Sequence, residues 1–469
     1  MGSKQKERGW SWYLGIIFIV FFFLLYFQLI DDKFSYLRGA DNANYVLLAK
    51  SLASGLGFSD INLPGTPPHT QYPPLFPIII SPVLFVFGYN FMWMRLLVVG
   101  SALAALYFTY RYFCVRVPKA MAFVLVFLTG TSFFVLSLGA EILPELVYLF
   151  FTMLALYLFD RNMDRKLPGR YARYLPLLAP LMYFTKFIGI TFCFAVICVM
   201  ALRIIREAEE RGAYVKKFIY FFVIGVVPFI VWFLRNSIYA KGVSSYQSIM
   251  FQADFYDASM GQAGISTIFE RAMDNTAMYF TELPLAFITY LDIRKALPAT
   301  VLKALLAVIL VLFLIGLIRD LVAKREVKDF YSLFYLGILM VWPTYGTGDA
   351  LRYLVPLTPL LYYYFFRGFE LVISPGTFIN RGEAGLTAVS STGSGGRAAL
   401  LVIFPVALFV ILNLAQIRGR VLSPTALRQI VRSSSIFTEN LFRRVDEVEL
   451  QVVTTPFFMR YVPCYHNYL

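Results

Sequence analysis

The sequence predicts an all-α polytopic membrane protein with about eleven transmembrane helices and interfacial helices in its first extracytoplasmic loop. Three observations predict it. Of 469 residues, 59% are hydrophobic and only 15% charged, with a mean hydropathy of +0.67; a soluble fold has too little polar surface to cover that composition. The apolar residues come in blocks of roughly 18–25, the length that crosses about 30 Å of hydrocarbon. The Lys and Arg residues lie mostly in the links between those blocks.

The blocks are 12–30, 91–115, 120–139, 142–159, 174–187, 188–206, 218–234, 299–318, 329–345, 353–373 and 398–416, with 174–187 and 329–345 short for a span. The first carries no charge and ends without a small-residue cleavage site, so it reads as an uncleaved anchor. Residues 77–88 are too short to span and contain Pro82, which suits an interfacial or re-entrant helix. Basic clusters precede the first block (Lys4, Lys6, Arg8) and follow the second (Arg116, Lys119). Others follow the fourth (Arg161 to Arg173), the sixth (Arg203 to Lys217) and the eighth (Arg319, Lys324, Arg325, Lys328). Eleven crossings put all of them on one face, the cytoplasmic one. The formal charge of +14 is therefore read as orientation and contact with anionic lipid, not as nucleic-acid binding. Cys114, Cys193 and Cys198 lie in apolar blocks and Cys464 in the tail, so no disulfide framework is implied.

The outer face then receives two large loops, 31–90 and 235–298, and short links at Glu141, Lys186 and 346–352. Residues 1–373 read as one transmembrane module, 374–397 as a Gly/Ser-rich cytoplasmic loop, 398–416 as the last span and 417–469 as a short tail, extracytoplasmic by parity although rich in arginine. A miscount near 329–373 would reverse that tail.

The sparse polar residues on the outer face carry the functional reading, because charge at membrane depth is costly. Asp41 opens an amphipathic run with Tyr45, Leu48, Ala49, Leu52 and Leu56 on one stripe, suited to lying in the interface. Asp41 reads equally as a helix cap or as a functional carboxylate. Glu141 and Glu145 flank Pro144; they read as helix-start acids favoured by the macrodipole or as site residues. Lys186 is the only charge between Arg173 and Arg203, and snorkelling competes with anion binding there. Arg235 with Asn236 ends the seventh block, and Arg352 with Tyr353 begins the tenth. Three cations on the face where cations are disfavoured, beside a carboxylate, predict an anion site with a base next to it. His69, just before Tyr72-Pro73-Pro74-Leu75, reads as a plain loop histidine or as a contact to a phosphate or metal. No His/Cys/carboxylate cluster has metal-ligand spacing, so no cofactor is firmly implied. The sequence has no phosphate-binding Gly-rich loop and no nucleophile elbow, which argues against a nucleotide-driven pump and a serine hydrolase.

Together these motifs resemble the polytopic GT-C glycosyltransferases, closest to the protein O-mannosyltransferase and aminoarabinose-transferase branch. The resemblance rests on Asp41…Tyr45, Tyr72-Pro73-Pro74-Leu75, Pro144-Glu145, Thr185-Lys186, Trp232…Arg235-Asn236 and Arg352-Tyr353-Leu354…Pro356…Pro359, and runs to about residue 373. One departure is Asn42, where many members carry a second acid; it weakens any case for a divalent metal. The resemblance implies an inverting transfer of a hexose or pentose from a polyprenyl- or dolichyl-phosphate donor to an acceptor hydroxyl on a glycan, lipid or protein, at the outer face of the plasma membrane. For that reaction Asp41 is the expected base and Glu145 a secondary catalytic candidate that orients the substrate, with Lys186, Arg235 and Arg352 expected at the donor phosphate and Tyr45, His69, Tyr72, Glu141, Asn236 and Tyr353 at substrate positioning. A lipid-sugar flippase, and a polymerase or ligase using a lipid-diphosphate donor, are the rival readings.

Overall fold

The structure, a computed structural model, describes residues 18–30, 41–163, 172–240, 250–253, 260–287, 298–343, 347–373 and 405–414. The loop 374–397 and the tail 417–469 lie outside the described residues, as do parts of the first and last apolar blocks. Among the described residues the fold is helical; the only strand-like pairings are two isolated bridges, Ser59 with Pro68 and Gln252 with Gln262.

Helix α1 (Phe18–Phe27) is followed by α2 (Asp41–Ala53) and α3 (Leu75–Phe87). Then come α4 (Phe91–Phe113), α5 (Lys119–Thr131), α6 (Phe133–Gly139) and α7 (Glu145–Met163). Next are α8 (Leu178–Thr185), α9 (Ile190–Arg206), α10 (Arg211–Phe221) and α11 (Val227–Tyr239). The remainder are α12 (Ile265–Leu285), α13 (Ala299–Ala323), α14 (Val327–Val341), α15 (Thr347–Leu354), α16 (Thr358–Ile373) and α17 (Pro405–Leu414).

Among the described residues four helical stretches are long and apolar enough to cross a membrane: Phe91–Phe113, Phe187–Arg206, Arg211–Tyr239 and Ala299–Ala323. The expected span 120–139 is a pair, α5 and α6, bent by 55° at Ser132, and counts as a fifth if the pair is one crossing. Only 11% of the apolar window of Arg211–Tyr239 and 28% of that of Ala299–Ala323 is buried inside the protein. Helices that apolar and that exposed need an apolar surround, which is the bilayer.

Local chemistry sets the helix ends. The Asn90 side chain accepts from the Trp93 N–H and starts α4. Glu326 and Asp329 form a reciprocal capping box at the start of α14. The core runs through the bundle as contacts of α4 with α7, α9 with α14, and α13 with α16. The last pair meets backbone to backbone: a side chain at Gly316 would collide with the Tyr364 carbonyl, and one at Gly368 with the Leu312 carbonyl.

Helix α2 departs from expectation. Its Tyr45–Leu56 stripe predicts a helix lying in the membrane interface, yet Asn42, Ala43, Val46, Leu47 and Ser51 are buried along with Tyr45, Leu48 and Ala49. Leu56 lies past the helix end and is exposed. Helix α3 covers α2, so α2 is an inner strut and not a surface float. Helix α3 keeps Phe76, Ile80, Val83 and Leu84 inward and exposes Phe85, Val86 and Phe87.

Candidate active site

Four ionisable side chains from four separate parts of the chain meet beside a cleft. Asp41 sits in the first turn of α2, and Glu145 in the first turn of α7 directly after Pro144; both are positions where an acid is favoured by the helix N-terminus. Lys186 occupies the break between α8 and α9, in extended conformation. That break is tight: a side chain at Gly189 would strike the backbone of Met182 and Tyr183. Arg352 lies in the last turn of α15.

Arg352 bridges the two acids. Its Nε donates to Glu145 Oε1 at 2.6 Å and its other guanidinium nitrogen donates to Asp41 Oδ2 at 2.9 Å. Lys186 Nζ donates to the same Glu145 Oε1 at 2.8 Å and lies 4.9 Å from the centre of the Tyr353 ring. Glu145 is fully buried and its Oε2 has no hydrogen-bond partner among the described residues. The Asp41 side chain keeps 29% of its surface exposed. Tyr72 O–H donates to Asp41 Oδ1 at 2.7 Å, so both Asp41 oxygens reach across the tertiary structure. Burial, with the Asp41 charge adding to it, pushes the phenols of Tyr45 and Tyr72 well above their usual range, which keeps them as donors.

Asp41, Lys186, Arg352, Tyr45 and Tyr353 line the cleft, whose space is about 540 Å³ when counted out into the open solvent at its mouth. Phe187, Ile188, Ile338, Leu339 and Trp342 form its apolar wall. The wall is fixed from behind: Asn275 of α12 donates to the carbonyls of Leu339, Met340 and Trp342 at 3.2, 2.9 and 2.6 Å, closing the end of α14. Tyr335 O–H donates to the Tyr353 carbonyl at 2.7 Å.

Other expected site residues lie elsewhere. Glu141 is buried under α2, where its Oε2 accepts from Asn42 Nδ2 at 2.5 Å. Arg235 does not line the cleft. It donates to the His69 carbonyl at 2.5 Å and to Asn236 Oδ1 at 2.9 Å, and stacks 4.7 Å from the Trp232 ring. Asn236 Nδ2 donates to the Thr70 carbonyl at 3.2 Å. The reason is that loop carbonyls folded into the protein need donors, and α11 supplies them. His69, a candidate contact to phosphate or metal, is buried with both ring nitrogens engaged: Nδ1 with Asp60 Oδ1 at 2.6 Å and Nε2 with the Tyr72 N–H at 2.7 Å. The expected cluster of three cations and one base is therefore two cations matched by two carboxylates. Among the described residues no group of three His, Cys, Asp or Glu side chains is placed to hold a metal ion.

Arg95 is a buried polar residue that the sequence pattern does not single out. It lies on α4, and its Nε donates to the Ala140 carbonyl at 2.8 Å, tying down the link that carries Glu141. An arginine near the start of the apolar block 91–115, far from Arg111 at its basic end, is the available signal.

No protein-family model and no curated protein sequence matches the chain. Among solved structures the chain is similar to ArnT from Cupriavidus metallidurans bound to undecaprenyl phosphate, at 14% identity and TM-score 0.48, over 97% of this chain and 78% of that one. The apo form of the same protein gives 14% identity and TM-score 0.47 over the same shares. The archaeal oligosaccharyltransferase AglB from Archaeoglobus fulgidus, in complex with an inhibitory peptide and a dolichol-phosphate, gives 12% identity and TM-score 0.46 over 87% of this chain. The chain spans 56% of the length of AglB.

Proposed function

We propose that the protein is an inverting glycosyltransferase that moves a hexose or pentose from a polyprenyl- or dolichyl-phosphate donor to an acceptor hydroxyl. The reading takes the eleven-span order as retained, with the shorter apolar helices completing it, and places the site on the outer face of the plasma membrane. The single observation that carries it is Arg352 joining Asp41 to the buried Glu145–Lys186 pair at the edge of an apolar-walled cleft.

The chemistry needs little else. The acceptor O–H attacks the anomeric carbon from the side opposite the phosphate, forming a new C–O bond. The bond from the anomeric carbon to phosphate oxygen breaks, and its electron pair leaves on the phosphate. The hydroxyl proton goes to the Asp41 carboxylate. One displacement inverts the centre. Phosphate is a stable anion, so no general acid is required at the leaving oxygen. Its charge grows by one unit as the bond breaks, and Lys186 and Arg352 are preorganised to take that charge. Glu145 holds both cations from behind at one oxygen and fixes their spacing. A donor phosphate that takes the outer nitrogen of Arg352 frees Asp41 Oδ2 for the acceptor proton.

A positioned carboxylate base contributes typically 10²–10⁴-fold. The test uses purified protein, a panel of undecaprenyl- and dolichyl-phosphate hexoses and pentoses, and membrane lipid as acceptor, with release of free polyprenyl phosphate as the readout. Asp41→Asn is expected to lower release by about 10²–10⁴-fold. Near-normal release by that variant sinks the base assignment. Release dependent on a lipid-diphosphate donor, or lipid-sugar crossing the bilayer without any release, sinks the reading as a whole.

A further inference from the structure

The segment that precedes α3 is tied down more heavily than a connector requires. Phe58 and His69 pair through the backbone, the His69 N–H donating to the Phe58 carbonyl at 2.9 Å, and Asp60 N–H donates to the Pro67 carbonyl at 2.9 Å. The turn at the tip passes through Gly65 and Thr66, both at positive φ. From outside, Arg235 and Asn236 of α11 hold the carbonyls of His69 and Thr70. These ties converge on the two residues just before Gln71 and Tyr72.

The polar bonds then run in one direction. His69 Nε2 accepts the Tyr72 N–H, so that nitrogen carries no proton and the ring is the Nδ1–H tautomer, donating to Asp60. The His69 ring lies parallel to the Tyr72 ring, 5.3 Å between centres at 5°, and Tyr45 packs at 4.8 Å. Asn44 Nδ2 donates to the Tyr72 phenol oxygen at 3.3 Å, which directs the phenol proton to Asp41 Oδ1 at 2.7 Å.

From this chain of contacts we infer that Tyr72 is a positioning residue for the Asp41 carboxylate, and that Asp60, His69, Arg235 and Asn236 hold Tyr72 in place instead of touching the donor. The inference rests on the glycosyl-transfer reading above. The Tyr72 hydrogen bond takes a lone pair of Asp41 Oδ1 and fixes the carboxylate plane, so Oδ2 alone faces Arg352 before the donor arrives and the acceptor hydroxyl afterwards. A base held by one oxygen keeps its other oxygen aimed when the ion pair with Arg352 opens.

The role predicts a split between turnover and donor affinity. Tyr72→Phe removes one oxygen and leaves the packed ring, so the fold is expected to survive, checked by the thermal midpoint in detergent. Its kcat for polyprenyl phosphate release falls about 10- to 100-fold, the size of a hydrogen bond to a charged group, while donor KM stays within about two-fold. His69→Leu, which removes both ring contacts, gives a loss of the same kind, about ten-fold. His69→Gln, whose amide both accepts and donates, recovers kcat to within about three-fold of the native protein. A raised donor KM at unchanged kcat in Tyr72→Phe overturns the inference and makes Tyr72 a donor contact. If His69→Gln is as slow as His69→Leu, the histidine's part is overturned. If Asp41→Asn abolishes release while Tyr72→Phe and His69→Leu keep native kcat, the positioning role is lost and the glycosyl-transfer reading stands. If the native protein releases polyprenyl phosphate from no donor in the panel, the reading fails and takes the inference with it.

Discussion

Two buried ionic networks sit at opposite ends of the same helices, and they are built differently. At the cleft, Glu145 starts α7 and Arg352 ends α15. About 22 Å further along α7, at 1.5 Å per residue, Asp160 pairs with Arg116. Beside that pair, Asp320 is fully buried with both oxygens occupied: Oδ2 accepts from Lys324 and Lys328 at 3.1 Å each and from Tyr363 at 2.7 Å, and Oδ1 accepts from Arg367 at 3.3 Å. Arg367 donates onward to Glu370 at 2.9 Å, and Lys328 to Asp329 at 2.5 Å. Glu145 instead crowds two cations onto one oxygen and leaves the other without a partner among the described residues, while Asp41 stays part-exposed at the cleft. Asp320, with both oxygens occupied, fixes the helices around it. A carboxylate with an orphan oxygen beside an open cleft can exchange partners, which is what binding an anion demands.

The sharpest way to break that comparison is to remove the acid whose two oxygens are both occupied. Asp320→Asn leaves Lys324, Lys328 and Arg367 around a neutral group in a buried setting. Breaking a buried network from one side costs about 3–5 kcal/mol, so a lowered thermal midpoint in detergent is expected, with unchanged release per folded molecule. Arg352→Ala comes next and should do the reverse. Losing one preorganised group at a developing charge costs about 10²–10³-fold in kcat/KM, with a smaller change in midpoint than Asp320→Asn. Equal destabilisation by the two variants, with transfer per folded molecule intact in both, would make the cleft network structural and erase the distinction.

The cleft end is more legible in the sequence than the opposite end. In the eleven-span reading Lys186 and Arg352 stand out because they break the orientation rule, and Glu145 because it lies deep in an apolar stretch; the fold brings all three together. Arg235 breaks the same rule but faces the 58–72 loop, because its direction depends on how α11 is rotated against that loop, which no local pattern encodes. Lys324 and Lys328 obey the rule and read as part of a basic cytoplasmic link. Lys328 is in fact fully buried, because it lies in the first turn of α14, where it pairs with Asp320 and Asp329. Arg95 is masked by the apolar block around it. The bend at Ser132 is hidden as well, because the chain is apolar on both sides of it. Periodicity and charge placement report which residues face water or lipid; they do not report partner choice within the bundle.

The smallest expected effect is also the one that tests partner exchange most directly. Glu145→Gln keeps the shape of the side chain and one accepting oxygen for Lys186 and Arg352, but removes a negative charge from a four-group site that is otherwise balanced. A phosphate entering that site then meets one net positive charge. At an effective dielectric near 20, even a partly screened unit charge at this range is worth about 1–2 kcal/mol, so undecaprenyl phosphate should bind about ten-fold more tightly, measured by titration in detergent. Turnover should fall, because the released lipid phosphate carries more charge than the donor and gains more from the unbalanced cations. Tighter product binding with lower kcat supports a site whose acids keep the cations exchangeable. Weaker binding would mean instead that Glu145 is needed chiefly to hold Lys186 and Arg352 in position, and its role would then resemble that of Asp320 at the other end of the bundle.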